Sequence, residues 1–171
     1  MKDVFISYSS KDIAHAEMIK NILEQNRISA WMAPNDIPTG SNYSKEIPIA
    51  IGECKVFIVI LSKNAQQSDW VWRELDTAIN KGKKIMPVML ENFILNDEFN
   101  FLLTGAQRYM AYQKKAKSLE DLVKEVQLTI GLKETETQEE SKTQTDTETQ
   151  TEAKVKTKFQ VNRWIKSVLE T

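Results

Sequence analysis

The chain has 171 residues, 23 of them basic and 24 acidic, a formal charge of −1 at pH 7 and an ordinary apolar share of 41%, which suits one core with an appended segment. That balance provides no positive field for a nucleic-acid backbone or an acidic membrane surface, so neither is expected as a partner. Cys54 is the single cysteine and His15 the single histidine, which excludes an internal disulfide and leaves neither a zinc site built on such ligands nor a Ser-His-Asp triad to expect.

The run "DVFISY" (3 to 8) is apolar and β-branched and is closed by the polar "SSKD", the pattern of a buried strand leading into a helix. Ile13, Ala16, Ile19, Ile22 and Leu23 then repeat on one helical face. "ISAW" (28 to 31) reads as a second strand, followed by the Pro- and Gly-punctuated loop "APNDIPTGSNY" and a helix through Ile47, Ala50 and Ile51. "KVFIVIL" (55 to 61) is apolar almost throughout, as a central strand covered on both faces should be. Next comes "SDWVWRELDTAI" (68 to 79), a helix that Ser68 or Asp69 can cap and that Gly82 stops. "KKIMPVML" (83 to 90) is a fourth strand, although its Pro87 offers no ladder donor. "QRYMAY" (107 to 112) is a fifth, and "SLEDLVKEVQLTI" (118 to 130) a closing helix capped by Ser118.

Strands alternating with helices predict an α/β fold, a parallel sheet with helices on both faces. Ligands of such sheets bind beyond the carboxyl ends of the strands, where strand order reverses. "SYSSKD", "APNDIPTG" and "SKNAQQSDW" are therefore expected around one crevice.

From Lys133 the composition turns to Thr, Glu, Gln and Lys, with "TETQ" at 135 to 138 and again at 147 to 150. A segment with so little to bury is expected to be a disordered linker, assigned to 132–158 after a domain at 1–131. Residues 159–171 regain amphipathic spacing at Phe159, Trp164, Ile165 and Leu169; such a tail can dock on its own domain, on a partner or on nothing. No segment has signal-peptide order or nears the ~18 apolar residues of a membrane span, so a cytoplasmic protein is expected.

Within "SDWVWRELDTAI", Val71, Leu75, Ala78 and Ile79 span the core-facing arc, with Trp72 at its far edge. Trp70 and Glu74 lie four residues apart on one side, Glu74 near the border of the arc, and would face the predicted crevice together. A glutamate near a helix start also suits the helix dipole with no further role. A carboxylate placed there can hydrogen-bond ribose hydroxyls and stabilise an oxocarbenium-like transition state, and an indole can stack on a flat base. A dinucleotide dehydrogenase is excluded because "SYSSKD" lacks the glycines of its phosphate turn, and a phosphate-binding loop because its glycine and lysine spacing is absent. A phosphoryl receiver would carry aspartate where the third strand ends in "LSKN". His15 reads as a surface or boundary residue and Cys54 as small packing.

Taken in order, "DVFISYSSKD", "WMAPNDIPTGSNY", "AIGECKVFIVILS" and "SDWVWRE" closely resemble a Toll/interleukin-1 receptor (TIR) domain of bacterial or archaeal type, over residues 1 to about 131. The resemblance implies a five-stranded parallel sheet in flavodoxin-like order and a loop, Ala33 to Ser41, used in self-association and in gating a pocket. It implies cleavage of the nicotinamide–ribose bond of NAD+, with Glu74 as the catalytic glutamate and Trp70 as its aromatic companion, to give nicotinamide with ADP-ribose or a cyclic isomer, in prokaryotic antiphage defence. Phe5, Ser7, Tyr8 and Ser9 would line the pocket, with Asp36, Gly40 and Tyr43 in or beside the loop. NAD+ is then the substrate, and neither a cofactor nor a metal is implied. A separately encoded sensor or effector is the expected partner besides a second copy. The alternative is a non-catalytic module that binds other TIR domains, as an adaptor or as an effector interfering with a host's signalling, through "NDIPTG".

Overall fold

The computed structural model describes residues 2 to 113 and 115 to 132. From residue 133 onward, the expected linker and amphipathic tail lie outside the described residues. The elements run β1 (Val4–Ser7), α1 (Ile13–Gln25), β2 (Ala30–Trp31), α2 (Tyr43–Glu53), β3 (Val56–Leu61), α3 (Lys63–Gln66), α4 (Asp69–Asn80), β4 (Lys84–Met89), α5 (Asp97–Leu102), β5 (Tyr109–Met110) and α6 (Lys115–Ile130), with a 3-10 turn at Ser10–Asp12. The strands form one parallel sheet in the order β2-β1-β3-β4-β5, the flavodoxin-like arrangement expected.

The period-2 geometry of β3 explains its unbroken apolar run. Val56, Ile58 and Ile60 join Val4 and Ile6 of β1 against Ile19 and Leu23 of α1 and Leu122 and Val126 of α6. Phe57, Val59 and Leu61 point the other way, onto Ile51 of α2, Val71 and Leu75 of α4 and Phe99 of α5. Each face of the sheet is thereby covered by helices. Pro87 pairs with Val59 of β3, while β5 reaches only Val88 and Met89. At Pro87 the strand has a ladder partner on one side alone, the setting in which a sheet tolerates proline.

Local chemistry sets the helix ends. Ser68 caps α4 by accepting the Val71 N–H at 3.4 Å, and Gly82 follows the helix at φ +64°, its N–H bonded to the Ile79 carbonyl and that of Lys83 to Ala78. Asn42 and Asn96 cap α2 and α5 in the same way. Besides the single turn α3, which the sequence reading did not place, two features differ from it. α5 interrupts the segment between β4 and β5, and α6 begins at Lys115, three residues before the expected cap. Ser118 instead lies within the first turn of α6 and donates to the Met110 carbonyl at 3.1 Å, fastening the helix to the end of β5.

Candidate active site

The chain runs from β1 to β2 on one side and to β3 on the other, so strand order reverses around β1. Beyond the carboxyl end of β1 lies a hollow of about 340 Å³, within the size range of small-molecule sites. Tyr8 and Ser10 contribute from the loop after β1, Ala33 and Pro34 from the loop after β2, and Ser68, Trp70 and Glu74 from the start of α4. The three loops singled out in the sequence meet here. Tyr43 and Ile47 of α2 close the side.

Glu74 is the buried charge of this hollow, 8% exposed, and its Oε2 accepts the Ser7 hydroxyl at 2.6 Å. Burial pushes its pKa up from the ordinary 4.5 to about 7, because a carboxylate is costly in a medium of low polarity; the Ser7 hydrogen bond acts in the opposite direction. Trp70, one helical turn earlier, is half exposed and borders the same hollow, with an indole face free to stack. Tyr8 hydrogen-bonds through its hydroxyl to the Ala33 carbonyl, pinning the β2 loop against the end of β1. Its pKa is raised, first by burial and then by the negative charges of Glu17 and Glu74. A second hollow of about 330 Å³ continues on the α2 side of Trp70 and Glu74, past Pro48, Arg73 and Thr77.

Five residues carried over from the family pattern sit elsewhere. Phe5 is 1% exposed and packed inside the sheet–helix core, stacked on Trp31 and Phe57 with ring centroids 4.8 and 5.3 Å away. It supports the floor of the site from behind because odd positions of β1 face α2 and α4. Ser7 borders the hollow only through Glu74, as the donor that orients it. Ser9 is buried and its carbonyl accepts the Asp12 N–H at 2.7 Å, so Ser10 is the residue that reaches the hollow. The Asp36 carboxylate turns away to pair with Lys20 and accept the Met32 N–H, on the opposite side of the loop. Gly40 occupies the third position of the exposed turn Pro38–Ser41 at φ +84°, a conformation that favours glycine. Ile6, Ser10, Ala33, Pro34, Ile47 and Ser68 line the hollow without having been singled out as site residues. Their signal in the sequence was only their place at or near strand and helix ends and, for Ile47, its place in the apolar pattern of α2.

Among the described residues no three His, Cys, Asp or Glu side chains gather as a metal cage would require, and no helix is long and apolar enough to cross a membrane. The arrangement therefore offers one buried carboxyl, oriented by a serine hydroxyl and flanked by an indole, in a crevice at the strand ends.

Three comparisons bear on this geometry. The family model for the TIR domain matches residues 4–126. The NAD(+) hydrolase SARM1 of Danio rerio is 30% identical over 104 residues, covering 56% of this chain but only 14% of that protein. Among solved structures, the TIR domain of the Toll-related receptor TRR-2 from Hydra magnipapillata superposes with a TM-score of 0.64 at 16% identity, covering 74% of this chain and 99% of that one. The CMP N-glycosidase BcmB of Clostridium botulinum gives a TM-score of 0.52 at 22% identity, covering 71% and 98%. At these identities the structural likeness concerns the fold alone. The family model spans well over half of the sequence and takes in all five strands of the sheet and every segment that lines the hollow, so the chain belongs to the TIR-domain family.

Proposed function

We propose that this TIR domain cleaves the bond between nicotinamide and ribose in NAD+, with Glu74 as the catalytic carboxylate. The observation that carries the reading is the buried Glu74, hydrogen-bonded by Ser7 and adjoining Trp70 in a hollow at the strand ends. The NAD(+) hydrolase named among the relatives supports it. Nicotinamide leaves C1′ with the bonding electron pair as a neutral molecule, so departure needs no proton donor. What needs help is the positive charge developing on the ribose. An ionised carboxylate in a poorly hydrated site stabilises that charge far better than bulk water does, and it can hold the ribose hydroxyls at the same time. Trp70 offers a face for a flat base. Water then adds to C1′ and loses a proton to give ADP-ribose; attack by an adenine nitrogen with loss of its proton gives a cyclic isomer instead. We propose further that the product acts as a signal in prokaryotic antiphage defence and that assembly with a second copy engages the loop Ala33 to Ser41.

The test is nicotinamide release from NAD+ by the purified chain at high concentration, beside Glu74→Ala, with both followed by chromatography. Release by the native chain and loss of at least ~100-fold in the variant are expected, in line with removal of one oriented electrostatic group. Equal release by both would remove Glu74 from the mechanism, and chromatography of cytosine released from CMP examines the other N-glycoside suggested by a chain of this fold.

A further inference from the structure

The two walls of the hollow come from segments far apart in the chain, the loop after β1 and the start of α4. Asp12 lies at the end of the 3-10 turn that follows the first wall and is 7% exposed. Its carboxylate faces no lysine or arginine within ion-pairing distance among the described residues. Both of its oxygens are instead occupied by the junction between β3 and α3: Ser62 donates its hydroxyl to Oδ2 at 2.5 Å, and Asn64 donates its amide to Oδ1 at 3.2 Å. Ser62 Oγ also accepts the Ala65 N–H at 3.0 Å, which leaves its proton for Asp12. From Ala65 the connection reaches the site directly, because the Ala65 carbonyl accepts the Ser68 N–H at 3.1 Å and Ser68 caps the helix that carries Trp70 and Glu74.

We propose that Asp12 is a positioning residue of the site, a buried acceptor that clamps the loop after β1 to the β3–α3–α4 connection and so holds the two walls at their working separation. A paired carboxylate suits this task. It accepts on both oxygens, whereas an amide would turn a donor toward Ser62 or Asn64. Without the clamp the first turn of α4 is free to drift from β1, and the contact between Glu74 and Ser7 is the first to suffer.

Two variants separate the clamp from a simple charge effect. Asp12→Asn replaces one of the two acceptors with a donor and removes the charge; Ser62→Ala removes the Oδ2 half of the clamp while keeping the charge. The first readout, independent of any substrate, is the titration of Glu74 followed by carbon-13 NMR, where Tyr8 across the hollow and Arg73 and Asp76 beside Glu74 on α4 are the neighbouring ionisable groups. Both variants are expected to lower the Glu74 midpoint by about one unit or more, because water entering the hollow removes the burial that is the larger cause of the raised value and outweighs the opposite effect of losing the Ser7 hydrogen bond. An unmoved midpoint in folded Ser62→Ala overturns the clamp, including the case in which Asp12→Asn alone shifts it, and Ser62→Ala decides the matter if Asp12→Asn does not fold. The second readout rests on the proposed NAD+ cleavage: kcat should fall on the order of tenfold in both variants with KM nearly constant, since stacking on Trp70 survives while the reacting geometry does not. A change in KM alone contradicts the proposal. Should the native chain not cleave NAD+, the functional reading fails while the Glu74 titration still decides the role of Asp12.

Discussion

Glu74 combines two properties that the sequence separates. Its place on the helical wheel, beside the apolar arc, was legible from "SDWVWRELDTAI"; its burial and its partner Ser7, 67 positions away, were not, because they arise only when β1 packs against α4. The raised pKa has a consequence for stability. A carboxyl that titrates at about 7 when folded and 4.5 when free binds its proton more tightly in the folded state, so folding stability falls as pH rises through that window and the full penalty is present above it. Glu74→Gln is therefore expected to be more stable than the native chain at pH 8, by up to about 2–3 kcal/mol, with the gap closing below pH ~4.5. Urea unfolding at the two pH values measures this. Trp70, half exposed, contributes little to the core. In Trp70→Ala, KM for NAD+ should rise about tenfold or more, the worth of stacking on one base, with the melting temperature nearly unchanged.

At the scale of the elements, strong periodicity and apolar runs located β1, β3, α1 and α4, whereas α5 went unread because "NDEFNFLL" has too few turns to display a period. The start of α6 was misplaced for a related reason. Ser118 has the chemistry of a cap, but its hydroxyl is engaged by Met110, a tertiary contact that outweighs the local preference. The Ser68 cap follows its local signal, so Ser68→Ala should cost roughly 1 kcal/mol or less, given the long 3.4 Å hydrogen bond, read as a small drop in unfolding midpoint. The loop after β2 is fixed at two points, by Tyr8 on Ala33 and by the Lys20–Asp36 pair. Tyr8→Phe is expected to speed amide exchange at Asp36 and Ile37, whose N–H groups bond to Met32 and Pro34, while exchange in β3 stays slow. Unchanged exchange in the loop would show that Asp36 alone suffices to hold it.

For the molecule as a whole, alternation of strands and helices was enough to predict a doubly covered parallel sheet, and the topology rule placed the crevice at the strand ends. What alternation does not encode is which residue of each loop turns inward. Phe5 illustrates the limit: two residues before Ser7 on the same strand, it shares the Ser7 face of the sheet but lies deeper, where α2 and α4 cover it, and it is core. Asp36 and Gly40 share a loop with Ala33 and Pro34, yet an ion pair and a turn direct them away from the hollow.

The central claim, that ionised Glu74 performs the chemistry, is tested most directly by the pH dependence of NAD+ cleavage. For the native chain, kcat/KM is predicted to rise with pH to a plateau, with a midpoint near the free-enzyme value of about 7, and kcat to show a lower midpoint because the cationic nicotinamide ring favours the carboxylate once bound. Glu74→Gln should lose both the rise and nearly all the rate. A pH-independent native rate, or a Gln variant that retains the same profile, would contradict the account.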